Sequence, residues 1–363
     1  MANEKKTVRE PSFILALVPI VAMIGFMLYC FRGHSETGYH DAHLPLVMSI
    51  IVACIVGFIC GHSFQEMLAG MVERLAASME AVLILATVGF LVTSFMLSGA
   101  IPTMIVYGLD LLTPKLFLPV GCILCAIVGM ACGSSWTTTA TIGLAFLGIG
   151  AGLGIPAPIT AGMIISGAYV GDKFSPLSDT TNLAAAVAET GLFDHVTAMV
   201  STTGPTLLLS LILYTILGLN VDTSAYDATV AEGIQEAFRS AFTISPILLL
   251  PIIVVIVMCI LRVPGLVGIA ISVATAVVFM LIFQSTDIYY SRSLGDIFDV
   301  LHYGHAVETG NAVADSILGK AKGMDGMMWT INLILVALAY GGALERCGCI
   351  EKLFGGLKHK IHS

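Results

Sequence analysis

The sequence predicts an all-α polytopic membrane protein. Three observations predict it: too few charges for a water-facing surface, a succession of apolar runs of membrane-spanning length, and breaks inside some of those runs. Hydrophobic residues fill 57% of the 363 positions and charged residues only 11%, against about 25% charged in a soluble globular domain. Most of the surface must therefore face lipid. The formal net charge of -8 is spread over short loops, and no basic patch is present to hold nucleic acid. Cys54, Cys60, Cys122, Cys125 and Cys132 lie inside apolar runs. Cys122 and Cys125 have no second pair and no nearby histidine, so they read as small apolar core residues, as do Cys347 and Cys349. Neither a disulfide framework nor a metal cluster is expected.

The elements follow in order. Lys5, Lys6 and Arg9 precede the apolar run Phe13 to Phe31. The run is long enough to span, since a membrane helix takes about 20 residues. It has no small-x-small cleavage site, and further apolar runs follow it. It reads as a retained first span with a cytoplasmic N-terminus. Further spans are expected at 44–60, 80–98, 116–133, 194–219, 241–261, 265–284 and 327–344. Between 134 and 190 the chain stays apolar but is interrupted. Breaks fall at Gly133-Ser134-Ser135, Ile155-Pro156-Ala157-Pro158 and Phe174-Ser175-Pro176, and an earlier one falls at Gly99-Ala100-Ile101-Pro102. Backbone freed from a helix is tolerated at membrane depth only when it is buried in protein or lines a cavity. Such segments read as discontinuous helices or re-entrant hairpins. Gly148, Gly150, Gly152 and Gly154 form an expected close-packing face. The polar stretch 220–240 reads as a loop, and 294–318 as an amphipathic segment lying at the interface or under the bundle.

Two pairs of segments suggest an internal repeat. Gly61-His62-Ser63-Phe64 with Gly70 resembles Gly295-Asp296-Ile297-Phe298 with Gly304. Ser98-Gly99-Ala100-Ile101 resembles Gly341-Gly342-Ala343-Leu344. Both pairs sit in the same order and context. The expected organisation is a first transmembrane repeat over 1–219, an inter-repeat loop over 220–240 and the start of a second repeat over 241–363. The counterpart of 134–190 would then fall past Ser363, so the second repeat is expected to be incomplete.

Two clusters carry the candidate chemistry. The first is Gly133-Ser134-Ser135-Trp136-Thr137-Thr138-Thr139-Ala140-Thr141. The second is Gly171-Asp172-Lys173-Phe174-Ser175-Pro176-Leu177-Ser178-Asp179-Thr180-Thr181-Asn182. Hard cations take oxygen ligands. Hydroxyls, carbonyls at a helix break and one or two carboxylates would supply them. Asp172 and Asp179 are seven positions apart, which is one face of a helix, but Pro176 interrupts that helix. An aspartate taken out of water has its pKa raised from about 3.9 toward neutrality. It can then hold a proton or a sodium ion, and that competition couples two fluxes. The bland readings are Ser and Thr as packing glue, Asp172–Lys173 as a loop ion pair, and Asp179 with Thr180 as a helix cap. Glu345-Arg346 reads as an interfacial pair.

These two motifs resemble the signatures of the NhaC-type sodium/proton antiporter family, within the wider ion-transporter superfamily. Gly133 to Thr138 matches one, and Gly171 to Thr181 matches the longer and more specific one. The resemblance implies an inverted-repeat transporter with broken helices and re-entrant hairpins that exchanges sodium for protons. Relatives in the family exchange organic acids such as malate and lactate, so a sodium- or proton-coupled organic acid antiporter is the alternative. Family members are longer and carry a Gly-Asp-Gln stretch and a Ser-Pro-Leu-Ile-Pro-Trp-Asn stretch not found here, so a non-transporting truncated fragment is the second alternative. The expected ion- and proton-binding residues are Asp172, Asp179, Ser134, Ser135, Thr137, Ser175, Ser178, Thr180 and Asn182, with sodium at Asp172 and Asp179. The expected partners are sodium ions, protons and the lipid bilayer of the plasma membrane, with room for a homodimer. No enzymatic activity, cofactor or nucleic acid is expected.

Overall fold

A computed structural model describes residues 8–32, 41–132, 135–175, 178, 180–181, 184–185, 190–220, 228–261, 263–285 and 293–361. Among the described residues every regular element is helical. Helices are what a chain crossing lipid must adopt, because each backbone N–H and C=O then finds its partner within its own segment. The elements are α1 Phe13–Phe31, α2 His43–Cys60, α3 Phe64–Ala77, α4 Met79–Leu97, α5 Ala100–Leu111, α6 Pro114–Cys132, α7 Ser135–Thr138, a π turn Thr139–Gly143 and α8 Leu144–Gly152. Then come α9 Ala157–Phe174, α10 Leu192–Leu219, α11 Ala228–Ala241, a 3₁₀ turn Pro246–Leu249, α12 Leu250–Ile260 and α13 Gly265–Phe283. The chain continues with α14 Leu294–Tyr303, α15 Ala312–Leu318, α16 Asp325–Arg346 and α17 Cys349–Ile361.

Five of these, α1, α2, α10, α13 and α16, are long and apolar enough to cross a membrane, and up to seven spans result if each bent pair counts as one. This is a multi-pass membrane architecture. Helix α10 buries none of its apolar window, so Leu208, Leu209, Ile212 and Ile216 point outward as a lipid-facing surface requires. The expected span 241–261 is corrected: it is not one rod. Thr229–Ala241 meets Pro246–Met258 at 90°. The break follows from Ser245, extended ahead of Pro246, because the residue before a proline is pushed out of the helical region. Within 220–240, expected as a loop, α11 forms. Ala231, Ile234, Ala237 and Phe238 recur at helical spacing and are buried, while Gln235 donates to the Val106 carbonyl and the Asp110 carboxylate.

The chain divides into two compact units, Met1–Leu85 with Met328–Ser363, and Ala86–Met327. In the first, α1 packs on α2 and on α17. The core holds Ala53, Cys54, Cys60, Met67, Tyr340, Ala343, Cys347 and Cys349, the thiols acting as the small apolar residues expected. The Tyr340 hydroxyl donates to the Pro19 carbonyl at 3.0 Å. Helix α3 starts with a capping box formed by Ser63 and Glu66 and crosses α16 where Gly70 meets Gly342. Glu345 at the end of α16 pairs with Arg74 of α3 at 3.7 Å rather than with the expected Arg346, and both are more than half exposed.

In the second unit α6 lies against α9 as the most extensive helix pair. Glycines make the approach. A Cβ on Gly167 would overlap the Cys122 carbonyl, and one on Gly171 the Ala126 carbonyl. From the other helix, a Cβ on Gly129 would sit 2.8 Å from the Ala168 carbonyl. Small residues let membrane helices pack backbone to backbone. Gly148, Gly150 and Gly152 instead make room on α8 for the side chains of Ile105, Thr160 and Leu109.

Two runs of the chain share several features: a pair of apolar helices, then a short helix capped by serine, and later a long helix followed by a left-handed glycine and a further helix; in the second run α15 intervenes between the short and the long helix. Ser63 and Ser293 are the caps, and each accepts from the backbone N–H three residues on. Gly99 (φ 81°) and Gly348 (φ 71°) are the glycines, in a conformation that costs a side-chain-bearing residue but not glycine. Gly341 to Leu344 lie in the last turns of α16, and the left-handed glycine that follows them is Gly348.

If the glycine seam sets the α6–α9 distance, Gly167→Ala costs about 1–3 kcal/mol of overpacking. Gly341→Ala, whose Cβ meets open space, stays within about 0.5 kcal/mol. Melting of the purified protein in detergent measures both.

Candidate functional site

Helix α9 begins after Gly154 and Pro156 and stops at Phe174, two of the breaks expected from sequence. It stops because Ser175, extended at ψ 123°, precedes Pro176. Asp172 therefore sits in the last turn of an otherwise apolar helix, held against α6 by its neighbour Gly171. Only 4% of it is exposed.

A small polar network closes over it. The Thr180 hydroxyl donates to Asp172 Oδ2 at 3.1 Å. It accepts from Lys173 Nζ at 2.8 Å and lies 3.0 Å from the Ser178 hydroxyl. One hydroxyl has one proton and two lone pairs, so Ser178 donates to Thr180 while Thr180 donates to the carboxylate. Thr181 Oγ1 donates to the Asp172 carbonyl at 3.2 Å, satisfying one of the acceptors that a helix end leaves open. Its N–H donates to Ser178 Oγ at 3.3 Å. Ser175, Ser178 and Thr181 are all buried. Lys173 Nζ is 3.6 Å from Asp172 Oδ2, with one-third of its side chain exposed against 6% for the aspartate.

The other expected cluster begins on α7, which packs against both α6 and α9. Ser135 and Thr137 are buried there. Thr139 and Thr141 donate back to the carbonyls of Ser135 and Thr137, at 2.8 and 2.7 Å. The helix widens into a π turn over these residues, a feature often found at functional sites.

Of the expected residues, Asp172, Ser178 and Thr180 are joined by hydrogen bonds. Ser175 caps their helix, and Ser135 and Thr137 lie on the packed neighbour. Ser134, Asp179 and Asn182 fall outside the described residues. The sequence reading missed two members. Lys173 was legible only as half of an ion pair with Asp172, a pairing present at 3.6 Å, and not as a donor to Thr180. Thr181 was signalled by the Thr-Thr pair, since hydroxyls near helix ends commonly take up loose carbonyls. The resulting set, a buried carboxylate with hydroxyl oxygens around it, is the ligand chemistry of a hard cation.

Comparison with known proteins gives the same direction. The family model described as the Na+/H+ antiporter family matches residues 167–363. The chain is 34% identical to the Na+/H+ antiporter NhaC of Alkalihalophilus pseudofirmus, over 89% of this chain and 68% of that protein. It is 35% identical to the arginine/ornithine antiporter ArcD of Halobacterium salinarum, over 94% and 69%. It is 31% identical to the malate-2H+/Na+-lactate antiporter of Bacillus subtilis, over 99% and 74%. No solved structure matches the chain significantly.

Thr180→Val keeps the shape and removes the hydroxyl that Asp172, Lys173 and Ser178 share. A buried polar group left without its partner costs about 1–3 kcal/mol. Chemical unfolding of the variant should show that loss and Thr180→Ser should restore it; equal stability of the valine variant would contradict the network.

Proposed function

The chain belongs to the Na+/H+ antiporter family, and we propose that it exchanges sodium ions for protons across the plasma membrane at the carboxylate of Asp172. The observation that carries this reading is an aspartate 4% exposed, at a helix break, under hydroxyl oxygens. Ionisable groups in such settings are costly and usually functional. A carboxylate in an apolar surround must be neutralised by a proton or paired with a cation, because a bare buried charge is expensive. Proton and sodium therefore exclude each other at one oxygen pair. A site that faces either side of the membrane only while holding one or the other exchanges them, and a proton gradient then drives sodium out.

Thr180 and Ser178 would supply hydroxyl ligands, with Ser175, Ser135 and Thr137 nearby. The signature motifs add Ser134, Asp179 and Asn182 to the same proposal. Antiporters for arginine and ornithine, and for malate and lactate, are among the relatives. Sodium is preferred here because the oxygens around Asp172 are hard-cation ligands. The chain is a transporter rather than an enzyme, and the ions are its substrates.

Three finer points belong to the same reading. The two runs of elements are repeats, the first ending near 219 and the second starting near 241. Lys5, Lys6 and Arg9 hold the N-terminus in the cytoplasm by the positive-inside rule. The lipid-facing helices leave room for a homodimer.

In proteoliposomes with a trapped pH dye, a sodium pulse should move protons through the wild-type chain and not through Asp172→Asn, with Asp172→Glu partly active. Wild-type rates in the asparagine variant would overturn the assignment.

A further inference from the structure

Lys173 does more than neutralise its neighbour in sequence. Its ammonium donates to Thr180 Oγ1 at 2.8 Å and lies 3.6 Å from Asp172 Oδ2. Thr180 is itself bonded to that same carboxylate oxygen at 3.1 Å. The nitrogen thus contacts both oxygens that would bind sodium. An ammonium has the charge of an alkali cation and seeks the same oxygen acceptors.

We propose that Lys173 is the resident cation of the site when it holds neither sodium nor a proton, and that sodium binds at Asp172 and Thr180 by displacing its ammonium. The inference rests on the reading of Asp172 as the sodium site. Two unit positive charges in contact with one carboxylate oxygen repel each other at close range, so both cannot keep their places. The lysine can leave. Its side chain is one-third exposed where that of Asp172 is 6% exposed, and its four-carbon stem is flexible. While it stays, it spares the carboxylate the cost of standing unpaired. When sodium arrives, the lost ion pair is subtracted from sodium's binding. Lys173 in this way sets the sodium affinity and eases release.

A lysine in the last turn of a helix also interacts favourably with the helix dipole. A purely structural role of that kind would change stability and leave sodium affinity alone, so affinity is the readout that separates the two. Binding of radioactive sodium to the purified full chain, at ionic strength held with choline chloride, is compared across wild type, Lys173→Gln, Lys173→Met, Lys173→Arg and Asp172→Asn. The neutral variants should bind sodium about fivefold tighter, the factor for a partly exposed ion pair, and Lys173→Arg should return the wild-type affinity. Unchanged or weaker binding in a folded neutral variant, with binding lost in Asp172→Asn, overturns the role of the lysine and leaves the carboxylate assignment standing. Wild-type binding in Asp172→Asn overturns the site and the inference with it. In unaltered protein, sodium should raise the rate at which an amine-acetylating reagent labels Lys173, read by peptide mass spectrometry. Choline should not, and an equal rate with and without sodium contradicts displacement.

Discussion

A carboxylate buried among apolar helices cannot stand alone, and the arrangement around Asp172 answers that requirement. The oxygen receives a hydroxyl from Thr180 and stands close to an ammonium from Lys173. The hydroxyl is in turn fed by Ser178. Lys173 shares the last turn of α9 with Asp172, while Thr180 and Ser178 come from beyond the break, so the break is what allows groups eight positions apart to converge. A continuous helix through Ser175 would carry Thr180 away along the axis. Backbone irregularity and buried charge are therefore one feature.

The carboxylate is held in place by glycine. Gly167 and Gly171 seat α9 on α6 through contacts with the carbonyls of Cys122 and Ala126, and Asp172 follows directly. In each compact unit, glycine also joins the two runs of the chain. In one, Gly70 of α3 meets Gly342 of α16. In the other, a Cβ on Gly89 of α4 would overlap the backbone at Gly323 and Met324, and the Gly323 N–H donates to Thr93 Oγ1 at 2.8 Å. Both units thus take helices from both runs. This explains why the units cut across the order of the sequence: contact follows small residues wherever the chain brings them.

Much of the fold was legible because it rests on local signals. Apolar length placed α1, α2, α4, α6, α10, α13 and α16, and proline placed the start of α9 and the end that carries the site. What escaped depended on partners distant in sequence or on backbone detail. The helix α11 was hidden by its polar face and shows itself only through the buried row from Ala231 to Phe238. The π turn at Thr139–Gly143 has no composition of its own beyond its threonines. Gly341-Gly342 resembles Gly99 in sequence, but it is Gly348 that shares its left-handed conformation, a backbone detail that composition does not carry. In the site, Asp172, Ser178 and Thr180 were recognisable by type. The place of Lys173 was not, since adjacency to an aspartate says nothing of a bond to a threonine seven positions on.

The account turns on one claim, that sodium and protons compete for the same buried carboxylate. Proton release on sodium binding tests it without any need for transport. Sodium chloride is added to purified protein in weakly buffered detergent across a range of pH, and the protons released are counted beside the sodium bound. Competition predicts release with sodium and none with choline, fading at high pH where the carboxylate has already lost its proton. Full sodium binding with no proton release at any pH would contradict it.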